Sequence, residues 1–143
     1  MNINLSNLIN NLPGMAYSFT FNINNENNNK ILFVSEGCLN LTGYSPQELL
    51  LKTQGNYYNL ILPQDIYRIK EKLSSCIQQQ HFSYELEYRI ITSTNEIKWV
   101  LEKGFIVNKN FSNKIEKYLE GFITDITKQK KAEEEISLLY DLT

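Results

Sequence analysis

Residues 82–92 read Phe-Ser-Tyr-Glu-Leu-Glu-Tyr-Arg-Ile-Ile-Thr, and the alternation does not slip. Phe82, Tyr84, Leu86, Tyr88 and Ile90 fall on one side, Ser83, Glu85, Glu87 and Arg89 on the other. A two-residue period over this length belongs to a strand with one buried and one wet face. Downstream, Ser93-Thr94-Asn95-Glu96 reads as a turn and residues 97–108 as a strand holding the single tryptophan, Trp99. Residues 108–113 turn again, and 115–126 return as a further strand. Upstream, Tyr17, Phe19 and Phe21 alternate with Ser18, Thr20 and Asn22 in a strand over residues 15–22. An Asn-rich loop follows at 24–29, where Asn tolerates left-handed backbone, and residues 30–35 form a short, largely buried strand. The middle third is helical. Leu39-Asn-Leu-Thr-Gly43 stops at a glycine suited to a helix C-terminus, Ser45-Pro46-Gln47-Glu48 is a capping box, and residues 63–80 carry Ile66, Ile69, Leu73, Cys76 and Ile77 along one face. Strand-strand-helices-strand-strand-strand, joined by hairpins, predicts an α+β domain with a five-stranded antiparallel sheet and helices on one face.

The chain has 143 residues, 42% of them hydrophobic and 21% charged, which fits one domain with a real core and excludes wholesale disorder. Its net charge of -2 speaks against a nucleic-acid surface. No apolar run approaches the ~20 residues of a membrane span, and the N-terminus lacks a charged-then-apolar leader, so a cytoplasmic chain is expected. Cys38 and Cys76 lie among apolar residues without metal-ligand spacing and are expected to be reduced core thiols, with no metal site. His81, the only histidine, sits at a strand start, and no nucleophile–base set or glycine-rich phosphate loop accompanies it. A small α+β enzyme is therefore only the remote alternative.

Both ends read as helices. Leu5, Leu8, Ile9 and Leu12 are spaced i, i+3, i+4, i+7, a short helix over residues 1–12 that Pro13-Gly14 ends. After Thr127 there is no Gly or Pro, and Ala132, Ile136 and Leu139 make one apolar seam, thin alone but enough for two copies coiled together. The other reading folds this helix back on its own domain. The expected division is thus 1–12, a sheet-and-helix domain at 13–127, and a connector helix at 128–143. Trp99, Leu101 and Phe105 share a strand face, and with Leu5, Leu8 and Leu12 they form a candidate dimer surface. Alternatively the N-terminal helix covers that face itself.

Several blocks, taken in order, carry a family resemblance. They are Leu12-Pro13-Gly14, Phe33-Val34-Ser35-Glu36, Leu39-Asn40-Leu41-Thr42-Gly43-Tyr44-Ser45 and Glu48-Leu49, then Ile61-Leu62-Pro63-Gln64-Asp65, Glu87-Tyr88-Arg89-Ile90 and Trp99-Val100. The series closes on Gly121-Phe122-Ile123-Thr124-Asp125-Ile126-Thr127 and Lys130-Lys131-Ala132-Glu133. Together they resemble the PAS/PAC sensor domains of bacterial signalling proteins, with the PAC-like part over residues 82–135. Ser93-Thr94-Asn95-Glu96 departs from the Asp-Gly turn common in that family. The resemblance implies a non-catalytic sensor, a homodimer and a covalently linked downstream output domain. It also implies a role for Asp125 and Thr127 in passing the signal from sheet to helix; read as residues, both suit a helix N-cap. Leu138-Leu139-Tyr140-Asp141-Leu142-Thr143 resembles the opening of a GGDEF diguanylate cyclase, one residue tighter than usual after Asp141, with a histidine kinase as the other output.

The same resemblance implies a small-molecule pocket between the helices and the inner sheet face. Strand parity turns Tyr84, Leu86, Tyr88, Ile90, Val100, Ile106, Leu119, Gly121 and Ile123 inward, and Tyr17, Phe19, Phe33, Tyr44, Tyr57 and Tyr58 are placed to close the space. These side chains either line a cavity or fill it. The expectation ranks a core without a resident cofactor first and a flavin held noncovalently among the aromatics second. Haem is disfavoured, because His81 falls beyond the long helix, and Asn56-Tyr57-Tyr58-Asn59-Leu60 lacks the reactive cysteine motif of flavin photoreceptors. Parity also turns Glu102 inward, where a lone carboxylate is costly, so a bulge that turns it out is expected unless a polar group or ligand meets it. Arg89 is expected to pair with an acidic cross-strand neighbour.

Overall fold

The computed structural model describes residues 4–21, 29–111 and 113–142. Eleven segments of regular structure run in order: α1 (Leu5–Asn10), β1 (Met15–Phe21), β2 (Ile31–Val34), α2 (Cys38–Thr42), α3 (Pro46–Thr53), a 3-10 turn (Tyr57–Leu60), α4 (Pro63–Gln78), β3 (Ser83–Ile91), β4 (Ile97–Phe111), β5 (Lys114–Asp125) and α5 (Thr127–Asp141). The five strands form one antiparallel sheet in the order β2-β1-β5-β4-β3, the α+β architecture expected from the alternation. The Asn-rich loop lies outside the described residues except for Asn29. α1 is shorter than its apolar spacing suggested, and Leu5, Leu8 and Leu12 are all exposed.

Local chemistry sets the helix limits. Gly43 ends α2 at a φ of 81°. Its neighbour Thr42 accepts the Ser93 N–H at 2.9 Å, which ties α2 to the β3–β4 turn. Ser45 Oγ accepts the Glu48 N–H at 3.2 Å while Glu48 Oε1 accepts the Ser45 N–H at 3.0 Å, the reciprocal cap that starts α3. Pro63 opens α4 with a ring that gives up an N–H no helix start could use. α4 buries Ile69, Leu73, Cys76 and Ile77 toward the sheet, and β3 buries Tyr84, Leu86, Tyr88 and Ile90. One core results, filled from β1, β3, β4 and β5 on one side and from α2, α3, the 3-10 turn and α4 on the other.

The β4–β5 hairpin is longer than expected: β4 continues to Phe111, which pairs with Lys114. β1 and β2 pair with a register shift between Ser18 and Phe19, so Tyr17 faces Val34 while Ser18 faces Phe33. Phe33 therefore shares the outer face with Ser18 and is 46% exposed, which corrects its expected place in the interior.

Candidate functional site

Register brings four inward positions into one row across the sheet: Tyr84 on β3, Gly104 on β4, Gly121 on β5 and Tyr17 on β1. The two central positions have no side chain, and a Cβ at Gly104 would collide with the hydroxyls of both tyrosines. The glycines thus clear a floor over which two phenols from separate strands meet, their oxygens 2.7 Å apart. The next row holds Leu86, Glu102, Ile123 and Met15.

Glu102 is fully buried and the pairing runs through it without a bulge, contrary to the expectation that it turns outward. What compensates it is a ring of phenols. Oε2 accepts from Tyr84 at 2.7 Å, Tyr58 at 2.8 Å and Tyr17 at 3.2 Å, and Oε1 accepts from Tyr88 at 2.7 Å. The Tyr57 hydroxyl lies 3.0 Å from that of Tyr88. Burial pushes the Glu102 pKa above the usual carboxylate range even though all four phenols pull it down by donating to the charged form. The same burial, with the carboxylate charge nearby, lifts Tyr58, Tyr84 and Tyr88 well above an ordinary phenol, so they stay protonated donors. Chemically this is a dry acid caged by hydroxyls, and every hydrogen bond it makes among the described residues comes from tyrosine. Tyr58 belongs to the 3-10 turn and the other three donors to the sheet, so the carboxylate pins the helical layer onto β1, β3 and β4.

A second cluster stands at the end of β5, where α5 leaves the sheet. Asp125 Oδ1 accepts from the Thr127 N–H at 2.9 Å and from its hydroxyl at 2.6 Å. Thr127 Oγ1 in turn accepts the Trp99 N–H at 3.0 Å, and the Ile126 N–H donates to the Trp99 carbonyl at 2.9 Å. Arg89 does not pair across its strand as expected. β3 is an edge strand, and the approach to α4 runs along it: Ile61 bridges Ile90, and the Leu62 N–H donates to the Arg89 carbonyl at 2.9 Å. Asp65, in the first turn of α4, therefore receives the Arg89 fork, Nη2 to Oδ1 at 2.7 Å and Nε to Oδ2 at 3.1 Å, together with the Arg89 backbone N–H at 2.9 Å. These bonds hold the Asp65 carboxyl below its ordinary range.

A family model described as the PAS fold matches residues 31–120. The chain belongs to the PAS family. Among curated proteins, the methyl sulfide methyltransferase-associated sensor of Methanosarcina acetivorans is 31% identical over 104 residues, 71% of this PAS chain but 10% of the sensor. The PAS chain thus spans about a tenth of that relative. Among solved structures, a sensory box histidine kinase/response regulator from Burkholderia thailandensis superposes with a TM-score of 0.66 at 20% identity, over 89% of this chain and 88% of the other. The N-terminal domain of a diguanylate cyclase with PAS/PAC sensor from Marinobacter aquaeolei gives 0.56 at 13% identity, over 82% and 98%. At those identities the structures attest the fold.

Within this PAS domain, Tyr17, Phe19, Tyr57, Tyr58, Tyr84, Leu86, Tyr88, Ile90, Val100, Glu102 and Ile123 all sit in the buried interior, and Tyr44 lies half-buried at its rim. They are brought together by packing on one another: Tyr17 stacks on Phe19 with ring centroids 4.5 Å apart, and Phe19 on Tyr57 at 5.4 Å. The space over Gly104 is taken by the Tyr17 and Tyr84 phenols. Cys38 donates to the Tyr44 carbonyl, and burial pushes its thiol up to about 11, which keeps it protonated and inert. On the outer face Phe105 is exposed and Leu101 half-buried, but the Trp99 ring is covered by the cations of Arg89 and Lys130 and is not free. Ala132, Ile136 and Leu139 are exposed along α5. Among the described residues no helix is long and apolar enough to cross a membrane. Sequence reasoning missed Asp65 and Lys130 as members of the outer cluster. It also missed the Gly104–Gly121 pair, whose signal was two glycines at inward positions of neighbouring strands.

Proposed function

We propose that this PAS domain is a non-catalytic sensory module that dimerises through α5 and passes a conformational bias along that helix to a covalently linked output domain. A diguanylate cyclase is the preferred output and a histidine kinase the second. The carrying observation is the contrast along α5. Its root is held to the sheet through Asp125, Thr127 and Trp99, while no residue of the helix is buried and Ala132, Ile136 and Leu139 align on an open side. One seam of this width is stabilised when a second helix covers it, and paired helices have two registers that a sensor can bias. The resemblance of residues 138–143 to a cyclase opening supports the choice of output. The polar interior around Glu102 is the proposed sensing centre, because any displacement of Tyr58 or Tyr84 there is felt by the helical layer and the sheet at once.

Native mass spectrometry and sedimentation of the 143-residue chain, read with its absorbance, test this. A dimer is expected, and Ile136→Glu with Leu139→Glu should return it to monomer without altering the far-ultraviolet spectrum. A small-molecule mass on the dimer would identify a resident ligand by class, and a visible absorbance would assign a flavin to the interior. A wild-type chain that stays monomeric at high micromolar concentration overturns the proposal.

A further inference from the structure

Neither the sheet–helix lock at Asp125 nor the seam of α5 gives Arg89 and Lys130 a role, yet both lie against the same ring. Arg89 and Trp99 are cross-strand partners, and the Arg89 Cζ lies 5.3 Å from the Trp99 ring centroid. Lys130 Nζ lies 5.0 Å from that centroid and is paired as well with Glu87 and Glu133. Each cation is attracted to the electron-rich face of the indole. Two like charges on one ring also repel, so the arrangement holds only while counter-charges balance them. Glu87 and Glu133 balance Lys130, and Asp65 balances Arg89 through its two-pronged contact. Asp65 sits in the first turn of α4, and Lys130 in the first turn of α5.

The geometry points to a joint: we propose that the Asp65–Arg89–Trp99–Lys130 chain couples the start of α4 to the root of α5, so that release of Arg89 by Asp65 loosens Lys130 and the first turn of α5. Its biological sense rests on the reading of α5 as the output path, but its physical content does not. When α4 shifts, the Arg89 charge loses its partner and its full repulsion falls on Lys130 across the ring. The indole then exchanges one cation for the other. The Trp99 main chain, which holds Thr127 and Ile126, keeps the junction assembled while the side-chain grip changes.

Amide hydrogen exchange of the 143-residue chain reads the joint without any ligand or output domain. Asp65→Asn removes the counter-charge and touches no α5 residue, and it should speed exchange of the amides at residues 130–134 by about two- to five-fold. The acceleration should shrink in high salt, which screens the repulsion, and vanish when Lys130→Met is added. Coupling is reciprocal, so Lys130→Met alone, a surface change that leaves the core intact, should speed exchange in the first turn of α4, because opening there no longer sets a bare Arg89 against Lys130. Acceleration confined to α4, or of equal size with Lys130→Met present and in high salt, overturns the joint; so does an unchanged α4 in Lys130→Met. Such a result would leave the dimer standing, whereas a monomeric wild type would sink the output reading and not the joint.

Discussion

The Glu102 cage and the Trp99 joint each bind charged groups across several elements, by opposite means. Inside, one carboxylate takes four phenol hydrogen bonds out of reach of water. Outside, Lys130 and Glu87 pair at the edge of solvent, and Arg89, its side chain 32% exposed, reaches from that edge to the buried Asp65. Hydrogen bonds to a buried charge are strong, and stranding one of the partners is expensive. Exposed ion pairs and cation–ring contacts are each worth about 1 kcal/mol or less. The domain therefore concentrates its cohesion where nothing moves easily and keeps its exit helix on contacts that thermal motion can rearrange.

The sharpest way to break that contrast is to remove the acid. Glu102→Ala leaves four phenols without an acceptor above a void, and urea denaturation should show a loss of about 3–5 kcal/mol. Glu102→Gln keeps the shape and should lose roughly 1–2 kcal/mol. Equal losses would mean that packing, and not charge, holds the cage. Next in size, Gly104→Ala drives a methyl into the Tyr17 and Tyr84 hydroxyls and should lose about 1–3 kcal/mol by the same measurement. Wild-type stability there would show that the phenols can yield.

The smallest effect separates the two regions most cleanly, because their acids titrate with opposite sign. Burial raises Glu102, so between the ordinary carboxylate value and the raised one the folded state holds a proton that the unfolded chain has released. Its contribution is present below the ordinary carboxylate value and is lost as pH rises through the raised one. The Arg89 hydrogen bonds lower Asp65, whose contribution is present above the ordinary value and is lost as pH falls through the depressed one. Midpoints of urea unfolding across pH should lose the decline above the ordinary carboxylate value in Glu102→Gln and the decline below it in Asp65→Asn. A Glu102→Gln curve parallel to wild type would sink the reading of Glu102 as a raised acid.

Much of the fold was legible in the sequence because its clues are local. The alternation through Tyr84, Leu86 and Tyr88 needs no knowledge of partners, and the Ser45 to Glu48 cap is complete within four residues. The cage is legible only in part. Parity turned Glu102 inward, but its donors arrive from β1, β3 and the 3-10 turn, and no spacing links Tyr17, Tyr58 and Tyr84 in one dimension. Phe33 was misplaced because a four-residue apolar strand has no parity of its own, and its pairing with outward Ser18 decided its face. Arg89 was given a strand partner because strand reasoning does not see that a helix approach runs along the sheet edge.

β1 begins where β5 ends: Met15 pairs with Ile123, α1 precedes the one and α5 follows the other. Force applied between these two helices thus loads the central ladder from one end, opening its bonds in sequence like a zipper and never in shear. A domain strung this way is soft along its own axis of connection. It yields to a modest pull by peeling at Met15 and Ile123, and the row of Tyr17 and Gly121, one row deeper, where the Tyr17 hydroxyl holds Glu102, is the first place where the tear would stall.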